Sequence, residues 1–131
     1  MTGPIERPMT PADVPACLDV FFSSINELFA RWNQPPIPSD ERDGLTAFFG
    51  DLAFGEGGRA WVAAGPDDRP VGFGIAVERE ATWYLAFLFI EPGHQVGGLG
   101  RAILRRLLPE PGSPAAAPGA LRHTCIDALQ P

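Results

Sequence analysis

The residues with the clearest chemical meaning in this 131-residue chain form the glycine-rich stretch Gln95–Gly100, which reads Gln-Val-Gly-Gly-Leu-Gly. An apolar run, Trp83–Ile90, precedes it, and an amphipathic segment, Leu99–Leu108, follows it. Glycine permits positive φ and a close approach of ligand to backbone, and successive N–H groups at a helix N-terminus form an anion site. The stretch therefore predicts a phosphate or pyrophosphate site, to which Arg101 would add a positive charge.

Two familiar phosphate-binding loops match this stretch poorly. A Walker loop needs Lys followed by Ser or Thr after its last glycine, whereas Arg101-Ala102 follows here and the chain contains no lysine. A dinucleotide-binding fingerprint needs a third glycine or an alanine, where this chain has Ile103, and its turn is shorter than the connector Glu91–Gly97. An ordinary glycine-rich turn without a ligand is the remaining structural alternative.

Gln95, Gly98 and Gly100 together resemble the Gln/Arg-x-x-Gly-x-Gly/Ala signature of the GNAT family of N-acetyltransferases. In that family the signature follows a strand that ends in a hydrophobic-x-Pro segment, and Leu88–Pro92 matches such a segment here. The resemblance covers residues 5 to 128, nearly the whole chain. It implies an α/β fold of the α+β type, in which a mixed, mainly antiparallel sheet is flanked by helices, and acetyl-coenzyme A (acetyl-CoA) as co-substrate.

Hydrophobic periodicity and turn residues predict the element order βααβββαβ in a single domain over residues 1–131. The predicted strands are Ile5–Met9, Arg59–Ala64, Val71–Glu78, Trp83–Ile90 and Leu121–Ala128. The first predicted helix runs from Pro11 to Arg31 and the third from Leu99 to Leu108. The second is capped by Ser39 and Asp40 and extends to Phe54. The segment 109–119 is rich in proline and alanine and is predicted to be a loop.

The resemblance assigns coenzyme-binding roles to the strand and to the loop. Backbone N–H groups of the loop would bind the pyrophosphate; these belong to Val96, Gly97, Gly98, Leu99, Gly100 and Arg101. Gln95 would orient the loop through its side chain. Leu88 and Ile90 would hydrogen-bond the pantetheine arm, which adds to the strand edge as an extra strand would. The Leu88 N–H would also stabilise negative charge on the thioester carbonyl, which is a catalytic role.

Acetyl transfer to an amine also needs a base, because an ammonium group has no lone pair. Several relatives carry a glutamate at the strand position that Tyr84 occupies in this chain. We therefore predict that Glu80 removes the proton, directly or through water, and that Tyr84 places the acceptor. The other titratable candidates are Glu78, Asp127, His94 and His123. Two histidines and two cysteines without ligand spacing predict no metal site.

Composition narrows the classes of partner. A net charge of −6 disfavours nucleic acid, since phosphate backbones require a basic face, and favours a cationic substrate such as an amine. No apolar run approaches the length of a membrane-spanning helix, and the N-terminus lacks the pattern of a signal peptide. We therefore expect no membrane association and a cytoplasmic location, with Cys17 and Cys125 buried and reduced.

The family pattern continues with a further helix and two strands, so C-terminal elements are expected to be missing from this sequence. Leu121–Ala128 is predicted to pair beside the C-terminal half of Trp83–Ile90. An uncovered strand edge promotes aggregation. The outer edge of this last strand would therefore be covered by residues beyond the sequence or by a partner chain in a swapped homodimer.

The resemblance thus predicts an N-acetyltransferase that moves an acetyl group from acetyl-CoA to a primary amine of a small molecule or protein. Two alternatives stay open at this point. The aromatic residue at Tyr84 allows a non-catalytic acyl-CoA-binding or regulatory domain. The expected missing elements allow one half of a longer or tandem acetyltransferase.

Overall fold

The computed structural model describes residues 4–94, 97–116 and 121–124, the last group as backbone only. Its strands are β1 (Ile5–Pro8), β2 (Gly58–Ala64), β3 (Pro70–Arg79), β4 (Thr82–Ile90) and β5 (Leu121–Thr124). Its α-helices are α1 (Val14–Arg31), α2 (Arg42–Phe54) and α3 (Leu99–Leu107). The sheet order is β1-β2-β3-β4-β5, antiparallel except for the parallel pair β4–β5. This arrangement confirms the predicted α+β class.

The segments around these elements largely follow the turn and proline signals. A single 3-10 turn, Pro11–Asp13, leads into α1, and another, Ser39–Glu41, leads into α2. Within the predicted loop, Pro114–Ala116 also forms a 3-10 turn, and its alanine at 115 is buried. No helix in the described part of the chain is long and apolar enough to cross a membrane.

Each face of the sheet carries its own hydrophobic core. Helices α1 and α2 cover one face, where the largest buried side chains are Leu18, Val20, Phe49, Val62, Phe73 and Ile75. Helix α3 covers the other face, with a core of Ala63, Ala76, Trp83, Leu85, Ile103, Leu107 and Ala115. A strand buried on both faces has no polar side, which explains the continuous apolar run of β4.

A bulge in β4 changes which of its side chains face each helix layer. Ile75 of β3 pairs with Phe87, but the next residue of β3 pairs with Leu85, so Ala86 is one extra residue in β4. Before the bulge Leu85 packs in the α3 core, whereas after it Phe87 packs against α1 and α2. Leu88 lies in the α3 core in turn. Because an extra residue reverses the two-residue alternation of a strand, Trp83 and Leu85 face α3, whereas Phe87 and Phe89 face α1 and α2.

Two glycines in β3 allow α3 to lie very close to the sheet. A Cβ atom at Gly74 would lie 2.6 Å from Leu107 Cδ1 and 2.9 Å from Ile103 Cγ2. A Cβ atom at Gly72 would lie 2.5 Å from Ile90 Cδ1. Because these two glycines have no side chains, the buried face of α3 and the end of β4 occupy the space above them.

The position of β5 corrects the sequence prediction. Leu121 pairs with Thr82 and Thr124 pairs with Leu85, so β5 lies beside the N-terminal half of β4 rather than its C-terminal half. Parallel strands begin at the same end of a sheet, and β5 therefore starts where β4 starts. The remainder of the predicted strand, residues 125–128, lies outside the described residues.

A buried ion pair fixes β1 to the start of α1. The Asp13 carboxylate, 8% exposed, accepts hydrogen bonds from Arg7 Nη1 at 2.7 Å and Nη2 at 2.9 Å. The backbone N–H of Thr10 also donates to Asp13, at 2.8 Å. The Arg7 hydrogen bond is the main reason that the pKa of Asp13 is lowered. Arg7 reaches across to the β2–β3 turn as well, where it pairs with Asp68 at 3.0 Å.

We predict that Asp13→Asn lowers the free energy of unfolding by about 1–3 kcal/mol at pH 7, since it leaves Arg7 without its buried partner. A lowered carboxyl pKa stabilises the fold above its unfolded value of about 3.9, and that stabilisation is lost as the pH falls through the folded value. Urea unfolding at pH 7 and pH 3 should therefore show a smaller difference between wild type and Asp13→Asn at pH 3. Asp68→Asn, at the exposed partner of Arg7, should cost at most about 1 kcal/mol. An Asp13→Asn effect that does not change with pH would contradict the prediction.

We predict that Gly74→Ala costs about 1–3 kcal/mol of stability, because the new methyl group overpacks the contact with α3. Gly44→Ala is the matched control, since nothing lies within 4 Å of a Cβ atom at that position in α2. Alanine is the better helix former, so the control should be neutral or stabilise by up to about 1 kcal/mol. Thermal unfolding of both variants gives the comparison, and equal stability would refute the close seating of α3.

Candidate functional site

The C-terminal half of β4 directs backbone groups away from the rest of the antiparallel sheet. The Glu91 N–H donates to the carbonyl of Val71 in β3 at 2.8 Å. Because successive residues of a strand direct their backbone groups to opposite sides, the N–H and C=O groups of Leu88 and Ile90 face away from β3. These are the two residues whose backbones the family resemblance assigns to the pantetheine arm. Thr124, the last described residue of β5, pairs with Leu85.

Helix α1 reaches the same edge through a side chain that the sequence analysis did not single out. Ser24 Oγ donates a 3.0 Å hydrogen bond to the carbonyl of Ile90. The two residues are 66 positions apart, so only the tertiary fold brings them together. Ser24 also lines a cavity of about 200 Å³, together with Glu27, Leu28, Arg31 and Phe89. The end of β4 is thus anchored to α1 at the point where the chain enters the glycine-rich loop.

The start of α3 has the backbone geometry that an anion site requires. Gly97 has φ of +97° and Gly98, the residue that caps the helix, has φ of +80°. Nothing lies within 4 Å of a Cβ atom built at either glycine. The first turn of α3 contains no acidic residue, and Arg101 is exposed there. Gln95 and Val96, the other predicted loop contacts, lie outside the described residues.

One carboxylate does lie close to the loop, and two basic side chains surround it. Glu91 is 3.5 Å from Arg69 Nη1 and 3.6 Å from Nδ1 of His94. The His94 N–H also donates to the Glu91 carbonyl at 3.0 Å. The arginine offsets the negative charge of Glu91, so the loop keeps a favourable environment for an anion. His94 therefore packs against Glu91 within the connection between β4 and α3.

Tyr84 faces α2 across a cavity of about 260 Å³. The lining residues are Leu52, Val77, Arg79, Thr82 and Tyr84. The walls are mainly apolar, with the Arg79 side chain as the charged member. Tyr84 comes before the bulge in β4 and Leu88 follows it. The structure therefore places the predicted acceptor-placing residue and the predicted thioester donor on one strand, two residues on either side of Ala86.

Glu80 lies in the β3–β4 turn and does not line the cavity of Tyr84. It has φ of +53° and is exposed. It lines an adjoining cavity of about 490 Å³ with Glu56, Gly57, Glu78 and Arg79. Arg79 is the residue that the two cavities share. Tyr84 and Glu80 therefore line different cavities that have Arg79 in common.

The remaining titratable candidates are less well placed or lie beyond the described structure. Glu78 Oε1 is 4.0 Å from Arg59 Nη2 and receives no hydrogen bond from a described residue. For His123 only the backbone is described, and Asp127 lies outside the described residues. Burial raises the pKa of the Cys17 thiol, which opposes a reactive thiolate there. No three His, Cys, Asp or Glu side chains gather into a metal-binding group within the described ranges.

Comparison with known proteins places this geometry among acetyltransferases. Residues 22–111 match the model of the acetyltransferase (GNAT) family. No curated protein sequence matches the chain significantly. Among solved structures, a GNAT-family acetyltransferase of Staphylococcus aureus Mu50 superposes with a TM-score of 0.62 at 15% identity. PaiA N-acetyltransferase of Thermoplasma acidophilum, solved in complex with coenzyme A, superposes with a TM-score of 0.59 at 12% identity. That match covers 79% of this chain and 69% of the PaiA chain.

The solved relatives are longer than this chain. The chain spans 62% of the S. aureus protein, with 79% of its own residues covered. A Pyrococcus horikoshii protein matches with a TM-score of 0.63 and 22% identity over 82% of this chain, which is 34% of that protein. At these identities the likeness shows the fold alone.

Proposed function

The chain belongs to the GNAT acetyltransferase family, and on that premise we propose that it transfers an acetyl group from acetyl-CoA to a primary amine of a small molecule or a protein. One observation carries the proposal: the Leu88 backbone faces away from β3 on the strand that precedes α3, and α3 begins at the positive-φ pair Gly97 and Gly98. A molecule with an amide-containing arm and a pyrophosphate matches both parts of this surface.

The described residues are compatible with coenzyme A at each contact. Backbone N–H groups at the start of α3 and the positive end of its dipole favour phosphate charge. The side-chain-free space at Gly97 and Gly98 leaves room for a close approach. The Leu88 N–H, directed away from β3, would donate to the carbonyl oxygen of the thioester. Acetyl-CoA supplies the activated acetyl group, and the chain supplies the donors that hold it.

The acceptor amine must reach the thioester in its neutral form. We propose that Tyr84 contacts the acceptor in the cavity beside α2, and that the proton leaves through water or through Glu80. The adjoining cavity that Arg79 shares supports a water-mediated path over a direct one. The Leu88 N–H would stabilise the negative charge that develops on the carbonyl oxygen as the amine attacks.

The proposal has a second form in which the domain binds acyl-CoA without catalysis. The separation of Tyr84 from Glu80 into two cavities favours this form, because no carboxylate lines the Tyr84 cavity among the described residues. Coenzyme binding without acetyl transfer to a panel of primary amines would support it. Release of free coenzyme A that depends on the amine would support the catalytic form.

We predict that Gly98→Asp weakens coenzyme A binding at least about 100-fold, since a carboxylate would face the pyrophosphate and like charges in contact cost several kcal/mol. Gly112→Asp is the matched control, because Gly112 also has positive φ and open space around its Cβ position. It follows the C-terminal end of α3, away from the loop. Isothermal titration calorimetry with coenzyme A should show normal affinity for the control. Equal affinity in wild type and Gly98→Asp would overturn the assignment of the loop.

We predict that Glu80→Gln lowers the rate of acetyl transfer about 100-fold or more if Glu80 is the base, and that the loss is greatest where the amine is mostly protonated. The measurement is the pH–rate profile of coenzyme A release with a primary amine that the wild type accepts. Glu56→Gln, in the same cavity but on the α2–β2 connection, should leave the profile unchanged. An unchanged profile for Glu80→Gln would exclude Glu80 and leave the water route alone.

A further inference from the structure

Two side chains from the sheet hold the last turn of α3. The buried indole N–H of Trp83 donates to the Leu107 carbonyl at 2.8 Å. Arg59 donates to the same carbonyl at 3.4 Å and to the carbonyl of Leu108. The last carbonyls of a helix have no partner within the helix, so these donors fix its C-terminal end. Trp83 is in β4 and Arg59 is in β2, and the helix end is therefore attached to two strands.

The attachment also determines where the N-terminus of α3 lies relative to Leu88. Helix α3 has nine residues, which gives it a length of about 13 Å at 1.5 Å per residue. Trp83 and Leu88 belong to the same strand and are separated by four residues, which include the bulge at Ala86. A hydrogen bond that fixes one end of α3 to Trp83 thus sets the distance from the other end of the helix to the Leu88 backbone.

We propose that Trp83 is a positioning residue for coenzyme A, an inference that rests on the proposed function. One coenzyme molecule must meet Leu88 with its pantetheine arm and the start of α3 with its pyrophosphate. The Trp83 indole N–H holds α3 at the axial position where both contacts form together. Ile103 and Leu107, seated over the β3 glycines, prevent rotation of the helix, while the hydrogen bond to Leu107 prevents sliding.

The test compares two ligands that share only part of the site. Coenzyme A uses both α3 and β4, whereas pantetheine lacks the pyrophosphate and uses β4 alone. Trp83→Phe keeps an aromatic ring and removes the donor. We expect the dissociation constant of coenzyme A to rise about 3- to 10-fold, as for the loss of one hydrogen bond. We expect the dissociation constant of pantetheine to stay unchanged, with both measured by NMR titration.

A matched control separates positioning from general loosening. Trp61 faces the same side of the sheet, but its ring lies under the Arg106 guanidinium, at 4.8 Å, and donates no hydrogen bond to α3 among the described residues. Trp61→Phe should therefore change neither dissociation constant. Arg59→Gln is a second test of the attachment if Trp83→Phe does not fold, because Arg59 is partly exposed. It should weaken coenzyme A binding and leave pantetheine binding unchanged.

The outcomes distinguish this inference from the function on which it rests. Equal weakening of both ligands in Trp83→Phe would show a merely structural role and overturn the proposal. Unchanged binding of both ligands would overturn it as well. Failure of the wild type to bind coenzyme A would refute the proposed function itself, and the positioning role with it.

Discussion

The contact between α3 and the glycines of β3 is the constraint on which the rest of the site depends. Helix and strand can approach this closely only because Gly72 and Gly74 leave the space that Ile90, Ile103 and Leu107 fill. Close seating brings the N-terminus of α3 beside the end of β4, so one ligand can meet both. A glycine in a strand weakens the strand itself, and here the lost local stability is offset by burial of the α3 face.

The bulge at Ala86 in β4 also contributes to this contact between the sheet and α3. Without it, the residues after position 86 would continue the alternation of Leu85, and Phe87 would point toward α3. With it, Phe87 contacts Phe49 of α2 at a ring-centroid distance of 4.5 Å, and Leu88 packs toward α3. The N-terminal half of β4 then pairs with β5 in the described residues, while the C-terminal half directs backbone groups away from β3. A single extra residue thus reverses which helix layer the odd-numbered side chains of β4 face.

How much of this was visible in the sequence depended on how local each signal was. Neighbouring residues determine the strand before the loop, the positive φ of the glycines and the start of the next helix. The structure has the strand β4 and the helix α3 where the sequence pattern predicts them. The bulge was not predictable from the sequence. A strand that is apolar throughout shows no alternation of polar and apolar residues, so an extra residue in it leaves no visible break in a pattern. The sequence analysis also placed β5 beside the wrong half of β4, because the pairing of a parallel strand depends on the path of the chain that connects the two strands. Ser24 and Trp83 act through partners 66 and 24 positions away.

The net charge of the chain does not oppose the proposed anion site, for a related physical reason. A chain of charge −6 would repel a pyrophosphate if its charge were spread evenly, but exposed charges are screened beyond about 8 Å in physiological salt. Only the charges near the start of α3 then matter, and there the first turn lacks carboxylates and Arg69 pairs with Glu91. Three glutamates instead lie around the β3–β4 turn, at the opposite end of those strands. An acidic protein can therefore offer an anion site, provided that its carboxylates are kept at a distance from one helix terminus.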